Sequence, residues 1–143
     1  MKTYLLLFFL SPLFVCSQSN SLNFGTNNTL DVVTWNLEWF PKNGNITIDS
    51  LKSIIEKIDA DVYALQEIDN IGSFNVLKNQ LLGYSGLLKN TSNLNLAFLY
   101  KNSITVDSAY SILDDYDYVF AGRTPFVIDL NFNGMNISSV SYT

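Results

Sequence analysis

The pattern of apolar and polar residues predicts an α/β protein. Continuous apolar runs typical of buried strands lie at residues 30–37 and 62–65. Between them, apolar residues recur with the i, i+3, i+4, i+7 spacing of an amphipathic helix over residues 48–58, with Thr47 or Asp49 near its N-cap. Two strands joined by a crossover helix are expected to be parallel and adjacent.

A second helix and a series of strands are predicted after residue 69. Asn70 is a suitable N-cap and Gly83 a suitable stop for a helix that buries Ile71, Phe74, Leu77 and Leu81. Strand-like runs follow at residues 84–88, 94–100, 104–112, 119–121, 126–132 and 135–140. The pair Asn133-Gly134 is typical of a two-residue hairpin turn. We therefore expect one domain over residues 30–143.

The first strand has polar interruptions that suggest a function. The run LDVVTWNLEWFP from Leu30 to Pro41 looks like a central strand buried on both faces, yet it contains Asn36 and Glu38. Burying such groups without partners costs a few kcal/mol each, about 2 or more. In the parallel arrangement the end of this strand lies beside Glu67, at the sheet edge where open α/β sheets bind ligands.

Asn36 and Glu67 are candidate ligands for a metal ion. Two oxygen ligands at neighbouring strand ends suit a hard cation such as Mg²⁺, which keeps several of its waters. The alternative is structural, with Asn36 bonded to a neighbouring loop and Glu67 solvated at a strand end. From spacing alone the structural alternative is the more common outcome.

Residues 1–17 are predicted to be a signal peptide. A short basic start precedes an apolar stretch from Tyr4 to Cys16, which is too short to span a bilayer. Cleavage after Ser17 would give a secreted or periplasmic protein, whereas a lipoprotein acylated at Cys16 is the less favoured alternative, because bulky residues precede this cysteine. Residues 18–29 are predicted to be a flexible lead-in, and no stable membrane span is expected.

Composition limits the chemistry that the chain can perform. Its hydrophobic content of 48% is that of a globular protein, and its formal net charge of −5 gives no general attraction to nucleic acid. A phosphate substrate would therefore need a metal or a local basic group. The chain has no histidine, which excludes Ser/His/Asp and Cys/His catalysis and His-ligated zinc within these 143 residues.

Four ordered motifs resemble the endonuclease/exonuclease/phosphatase superfamily, whose fold is DNase I-like. They are TWN at residues 34–36, DVYALQEID at 61–69, NLAFLYK at 95–101 and GRTPFVIDL at 122–130. The resemblance implies that residues 30–143 form the N-terminal half of a DNase I-like α/β sandwich, a mixed β-sheet with flanking helices. It also implies a metal-dependent phosphodiesterase, with a nuclease favoured over a sphingomyelinase-like enzyme or a small-molecule phosphatase.

The resemblance implies roles for three residues. Glu67 matches the family's metal-binding glutamate, and Asn36 matches the asparagine that helps to hold metal and phosphate. Arg123 matches an arginine beside the phosphate-binding cleft, and its alternative is a surface arginine paired with Asp114, Asp115 or Asp117. The implied cofactor is Mg²⁺, or Mn²⁺ or Ca²⁺, and the implied partner is nucleic acid or another phosphodiester.

The remaining polar and aromatic candidates receive less specific predictions. Glu38 has no clear family role, and we expect it to pair with a basic side chain or to support Asn36. Trp35, Trp39 and Phe40 are expected to pack in the core rather than to stack on bases. The acidic loop that carries Tyr116 and Tyr118 is a candidate for substrate contact.

The resemblance also implies what this chain lacks. The family's catalytic histidines and its later aspartate motif match nothing here, so no catalytic residue is predicted within the chain. We expect an inactive and poorly soluble fragment of a protein that is monomeric at full length. The alternative from another class is a non-catalytic secreted module.

Overall fold

A computed structural model describes residues 25–142. Its strands and helices, in chain order, are β1 Val32–Phe40, α1 Asn45–Ile58, β2 Val62–Ile68, α2 Ile71–Gln80, β3 Tyr84–Lys89, β4 Asn95–Lys101, β5 Thr105–Ser111, β6 Phe126–Phe132 and β7 Met135–Ser141. A 3₁₀ segment, Asp114–Phe120, lies between β5 and β6. The predicted signal peptide lies outside the described residues.

The strands form two sheets. The first sheet has the order β1-β2-β4-β3, and β1 and β2 are parallel with Val32 opposite Val62 and Asn36 opposite Gln66. The other pairs in this sheet are antiparallel, as are all the pairs in the second sheet, which has the order β5-β6-β7. The predicted unit of parallel strand, crossover helix and parallel strand is therefore confirmed.

Two apolar cores flank the first sheet. Alternate residues of β2, Tyr63 and Leu65, pack with α1 and α2, whereas Val62 and Ala64 pack against the second sheet. All four side chains are buried, because β2 is covered on both faces. Its continuous apolar sequence is typical of such a strand.

β1 differs from the prediction, because it lies at an edge of the described sheet and not at its centre. Val33, Trp35 and Leu37 are half-buried against the core beneath the helices. Val32, Thr34 and Asn36 point away from that core and are exposed, Val32 by 44%. Within residues 25–142 the second sheet does not extend over this face of β1.

The helices begin and end differently from the predictions. α1 starts at Asn45 after Gly44, which has a φ of 60° and no side chain to cap it, so the helix begins before the predicted Ile48. Thr47 lies near the N-cap as predicted, and its Oγ1 accepts a hydrogen bond from the Asn43 backbone nitrogen at 3.1 Å. Asn70 is confirmed as the N-cap of α2, because its side chain accepts a hydrogen bond from the Ser73 backbone nitrogen at 2.8 Å. Phe74, Leu77 and Leu81 are buried as predicted, but Ile71 is 36% exposed and the helix stops at Gln80, before Gly83.

The prediction for Val119–Ala121 was also wrong. Val119 and Phe120 end the 3₁₀ segment, and Ala121 follows it with a left-handed φ of 52°. A three-residue apolar run is too short for periodicity to distinguish strand from helix. By contrast, the Asn133-Gly134 hairpin is confirmed, with φ values of 52° and 80° and with Phe132 paired to Met135.

The described chain begins with a turn. Thr26 to Thr29, at the end of the predicted lead-in, form a turn in which the Thr29 backbone nitrogen donates to the Thr26 carbonyl at 2.9 Å. None of the helices in the described part of the chain is long and apolar enough to cross a membrane.

Candidate metal and phosphate site

Asn36 and Glu67 meet at the carboxyl ends of the two parallel strands. The register places Asn36 opposite Gln66, one residue before Glu67. The Asn36 side-chain nitrogen Nδ2 donates a hydrogen bond to Glu67 Oε1 at 2.9 Å. The structure thus brings together the two residues that the sequence singled out, and their role as metal ligands stays a prediction.

The backbone of Glu67 turns its carboxylate out of the sheet pattern. Strict alternation would place Glu67 on the same face as Leu65, which is fully buried beneath the helices. Glu67 instead has a left-handed φ of 59°, and the pairings of β2 with β1 and with β4 are both irregular at this point. Bulges of this kind re-aim side chains, and left-handed residues with a Cβ persist only where their surroundings hold them.

Glu38 supports the pair from the other side. Its backbone nitrogen donates to Asn36 Oδ1 at 2.9 Å, and its side-chain Oε1 accepts from Lys42 Nζ at 2.6 Å. The Lys42 hydrogen bond and charge hold the pKa of Glu38 below its usual value. Both structural contacts predicted for Glu38, a basic partner and support of Asn36, are therefore present.

The donor set fits a hydrated cation. Asn36 fixes one oxygen of the Glu67 carboxylate, and Oε2 makes no hydrogen bond to another described residue. Within residues 25–142, no cluster of three or more histidine, cysteine or acidic side chains is placed to hold a metal. One carboxylate and one amide oxygen suit Mg²⁺ with most of its waters retained, and do not suit an all-protein cage.

Next to Glu67 lies a buried amide side chain, that of Gln66, which the sequence analysis did not identify. Gln66 is 6% exposed, and its Nε2 donates to Thr34 Oγ1 at 3.1 Å, to the Ala64 carbonyl at 2.9 Å and to Ser141 Oγ at 3.0 Å. These contacts tie β1, β2 and β7 together. An amide at the end of an otherwise apolar strand requires hydrogen-bond partners, so the sequence does indicate a polar contact at this position.

Arg123 lies in a loop packed at the same end of the sheet. Gly122 lies so close to Ser92 that an added Cβ would clash with Ser92 Oγ. Thr124 binds Lys89 at the end of β3, through both its carbonyl and its hydroxyl oxygen. The loop therefore belongs to the end of the sheet that carries Glu67.

The alternative for Arg123, a surface ion pair with Asp114, Asp115 or Asp117, is not found within residues 25–142. Asp114 instead accepts a hydrogen bond from Thr124 Oγ1 at 2.7 Å and lies 3.9 Å from Lys89 Nζ. Within the described residues Arg123 forms no salt bridge, and its Nε is buried without a hydrogen-bond partner. Its role in phosphate binding stays a prediction.

The aromatic residues divide between core and surface. Phe40 is fully buried and Trp35 half-buried, as predicted. The packing prediction was wrong for Trp39, which is 54% exposed because left-handed φ values at Glu38 and Trp39 interrupt the alternation of β1. Tyr116 and Tyr118 are exposed by 54% and 77% in the acidic 3₁₀ segment, and nothing in the fold tests their contact with a substrate.

The sequence matches one family model. The model of the Endonuclease/Exonuclease/phosphatase family covers residues 33–135. A comparison with curated protein sequences found no match.

Solved structures share the fold over most of the chain. D. rerio TDP2 complexed with a single-strand DNA product has a TM-score of 0.68 at 17% identity, over 78% of this chain and 44% of that one. A family protein from Leptotrichia buccalis gives 0.63 at 19% identity, over 80% and 53%. Bacteroides thetaiotaomicron mannosyl-6-phosphatase Bt3783 gives 0.60 at 12%, over 78% and 50%. The chain thus spans about half the length of these structures, and the predicted DNase I-like fold class is confirmed.

Proposed function

Because the chain belongs to the endonuclease/exonuclease/phosphatase family, we propose that it is the metal-binding part of a divalent-metal-dependent phosphodiesterase, with nuclease activity favoured. The observation that carries this proposal is the hydrogen bond between Asn36 and Glu67 at the ends of two parallel strands. The single-strand DNA product bound to the similar D. rerio TDP2 supports a nucleic-acid substrate.

In this proposal each residue has a defined task. Glu67 supplies an anionic oxygen to the cation, and Asn36 orients the carboxylate through Nδ2 while its Oδ1 keeps a free lone pair. A bound Mg²⁺ would neutralise charge on the phosphate and polarise its P–O bonds. Arg123, a permanently charged planar fork, would bind a phosphate oxygen.

Proton transfer needs a group beyond these residues. The chain has no histidine, and the acidic and basic residues of the site are already assigned to metal, phosphate or Lys42. We propose that the group that activates water lies in a part of the domain that this chain does not match, since it spans about half of the similar structures.

Metal binding by the chain itself is the first test. Mg²⁺ titrated into the protein should produce a saturable binding isotherm in calorimetry and should raise the melting temperature, because a ligand that binds only the folded state stabilises it. Glu67→Gln should abolish both effects. Asp61→Asn, which changes a carboxylate at the opposite end of the sheet, is the matched control and should keep both.

Catalysis is the second test, made on the gene product as the cell makes it. We expect Mg²⁺-dependent cleavage of a DNA oligonucleotide that is lost in Glu67→Gln. The similarity to a mannosyl-6-phosphatase makes a sugar phosphate the second candidate substrate, and hydrolysis of mannose 6-phosphate without DNA cleavage would favour it. Failure of both, with no metal binding, would favour the non-catalytic module.

We also propose export through the N-terminal signal, with cleavage after Ser17. The support is the apolar run from Tyr4 to Cys16. N-terminal sequencing of the protein recovered outside the cytoplasm should start at Gln18. A lipid-modified protein that starts at Cys16 would establish the lipoprotein alternative.

A further inference from the structure

Trp39 is a large apolar side chain that the fold does not bury. It is 54% exposed, whereas the next residue, Phe40, is fully buried. A single exposed aromatic side chain is ordinary by itself. The backbone conformation at Trp39, by contrast, is unusual for a residue with a side chain.

The backbone holds Trp39 in a conformation that favours glycine. Its φ is 64°, following a φ of 47° at Glu38. Hydrogen bonds fix the chain on both sides, since the Glu38 nitrogen donates to Asn36 Oδ1 and the Phe40 carbonyl accepts from Asp69 and Asn70 at 3.0 and 3.2 Å. Such strain persists where surroundings enforce it, and it concentrates at sites of ligand contact. The indole is thus presented to solvent from a rigid anchor.

The position of Trp39 connects it to the candidate phosphate site. It follows Asn36 by three residues, so their Cα atoms lie at most about 11 Å apart. This spacing leaves the indole within reach of a nucleotide adjacent to a phosphate bound at this site. Asn36 Oδ1, which the proposed function assigns to the cation, also accepts a hydrogen bond from the neighbouring Glu38 backbone nitrogen.

The charge of the chain makes stacking the suitable source of affinity. With a net charge of −5 the protein gains little from general attraction to phosphates. Stacking of bases on aromatic side chains does not depend on charge and tolerates any sequence. Tyr118 is more exposed than Trp39, but it lies among Asp114, Asp115 and Asp117, where a phosphate backbone is repelled.

We propose that Trp39 is a stacking site for an unpaired nucleobase next to a phosphate that is bound through a cation at Asn36 and Glu67. This inference rests on the proposed phosphodiesterase function and narrows its substrate to single-stranded or frayed nucleic acid. A base inside a duplex offers no free face, so only an unstacked base can be bound in this way.

The chain contains two tryptophans, Trp35 and Trp39, which makes the test direct. In Trp35→Phe the indole of Trp39 is the only one, and titration with a thymidine oligonucleotide in Mg²⁺ should quench its fluorescence. An abasic sugar–phosphate oligomer of the same length should bind without quenching. Equal quenching by both oligomers, or no binding of either, would overturn the proposal.

A label on the oligomer measures affinity without relying on that variant. Trp39→Ala should weaken binding of the thymidine oligonucleotide about tenfold, which corresponds to the loss of one stacked base, and should leave the abasic oligomer unaffected. Tyr110→Ala, at a tyrosine on β5 that is 43% exposed, is the matched exposed-aromatic control and should change neither affinity. Unchanged binding by Trp39→Ala would refute the stacking site.

Glu67→Gln separates this inference from the proposed function. It should weaken binding of the thymidine and abasic oligomers equally, because it removes the metal ligand and leaves the stacking of the base on Trp39 intact. Glu67→Gln could leave both affinities unchanged while Trp39→Ala still weakens binding of the thymidine oligonucleotide alone by tenfold. In that case the metal assignment fails and the stacking site stands. If the Trp39 fluorescence depends on protein concentration without oligomer, the indole packs on a second copy and the proposal is wrong.

Discussion

The two ends of the first sheet carry similar polar residues in opposite electrostatic states. At one end, which we call the closed edge, Asp59, Asp61, Lys101 and Tyr84 lie at the amino ends of β2 and β3 and the carboxyl end of β4. At the other, the open edge, Asn36, Trp39 and Glu67 lie at the carboxyl ends of β1 and β2. The comparison separates acids that stabilise the fold from an acid that is available to a ligand.

The closed edge neutralises its own carboxylates. Lys101 Nζ lies 3.3 Å from Asp59 Oδ1 and 3.2 Å from Asp61 Oδ1, and it donates to the Asp59 carbonyl at 2.7 Å. Burial alone would lower the pKa of Lys101, but the hydrogen bonds and charges of these aspartates outweigh it and raise the pKa. A cavity of about 130 Å³ lies beside them, and two of the acids that line it, Asp59 and Asp61, already have Lys101 as their cation.

The open edge leaves its carboxylate without a cation. Within residues 25–142, Glu67 forms no salt bridge, and its hydrogen bond comes from a neutral amide. The nearby Lys42 is paired with Glu38. A count of acidic residues would point to the closed edge, whereas the unpaired charge points to the open one.

The largest expected effect is the removal of the cation from the closed edge. Lys101→Met leaves Asp59 and Asp61 facing each other without a positive charge, and Asp61 is only 16% exposed. We expect the free energy of unfolding to fall by about 2.5 kcal/mol, below the range for fully buried pairs because Lys101 is partly exposed. Urea denaturation followed by circular dichroism measures the change.

Lys52→Met is the control for that measurement. It removes the i,i+4 pair of Lys52 with Glu56 on the surface of α1, which we expect to contribute less than about 0.5 kcal/mol. Equal losses in the two variants would show that the closed edge has no special role in stability.

The second-largest expected effect is a loss of stability at alkaline pH that arises at the closed edge. Burial, with the charge of Asp59 nearby, raises the pKa of Tyr84 well above its usual range, and burial also raises that of Tyr63. The folded protein therefore keeps protons that the unfolded chain loses above pH about 10. Stability is complete below that pH, and we expect it to fall by about 1.5 kcal/mol between pH 10 and 11 after allowing for partial exposure.

Tyr84→Phe tests the cause of that dependence. The variant lacks one of the two titrating hydroxyls and loses the hydrogen bonds of Tyr84 to Asp59 and the Ala60 carbonyl. It should be less stable at neutral pH and should lose less stability between pH 10 and 11. An unchanged slope would remove Tyr84 from the explanation.

At the open edge, a substitution should do the reverse and stabilise the fold. Glu67 has a left-handed φ of 59°, so Glu67→Gly relieves strain at the expense of one exposed hydrogen bond to Asn36. We expect the free energy of unfolding to rise by about 1 kcal/mol while the response to Mg²⁺ is lost. Thermal unfolding with and without Mg²⁺ measures both effects.

Asp59→Gly is the matched change at the closed edge. Asp59 also has a left-handed φ, 52°, but its carboxylate binds Lys101 and Tyr84. Relief of strain should therefore be offset there, leaving the variant no more stable than the wild type. A gain in Asp59→Gly as large as that in Glu67→Gly would remove the distinction between the two edges.

The sequence predicts the open edge better than the closed one, for a physical reason. The parallel pairing of β1 with β2 follows from the strand–helix–strand order, and it places Asn36 beside Glu67. Lys101 instead meets Asp59 and Asp61 across about forty residues through an antiparallel pairing that no local pattern specifies. Motifs and connection rules predict neighbours along a crossover, and they do not predict side-chain partners across the sheet.

The two errors in β1 have different causes. Its apolar sequence is that of a strand with two covered faces, but coverage depends on which elements pack on it, so Val32 is exposed. Alternation predicts side-chain direction only while the backbone stays extended, and the left-handed residues Glu38 and Trp39 end that condition. The exposure of Trp39 was therefore not predictable from the alternation of side chains along the strand alone.

The smallest expected effect concerns the positive charge beside the open edge. Lys42 is exposed and binds Glu38, whose backbone supports Asn36. Lys42→Met removes a cation near Asn36 and Glu67 and frees the Glu38 carboxylate. Under the proposed metal binding by Asn36 and Glu67, we expect the affinity for Mg²⁺ to increase about twofold. The increase should be smaller at high salt, because salt screens the charge. Calorimetric titration at low and high ionic strength measures this, and Lys52→Met, whose charge lies on α1, should leave the affinity unchanged. Weaker binding in Lys42→Met would mean that the Lys42–Glu38 pair orders Asn36 more than it repels the cation, and the open edge would then depend on an ion pair for its geometry as the closed edge does.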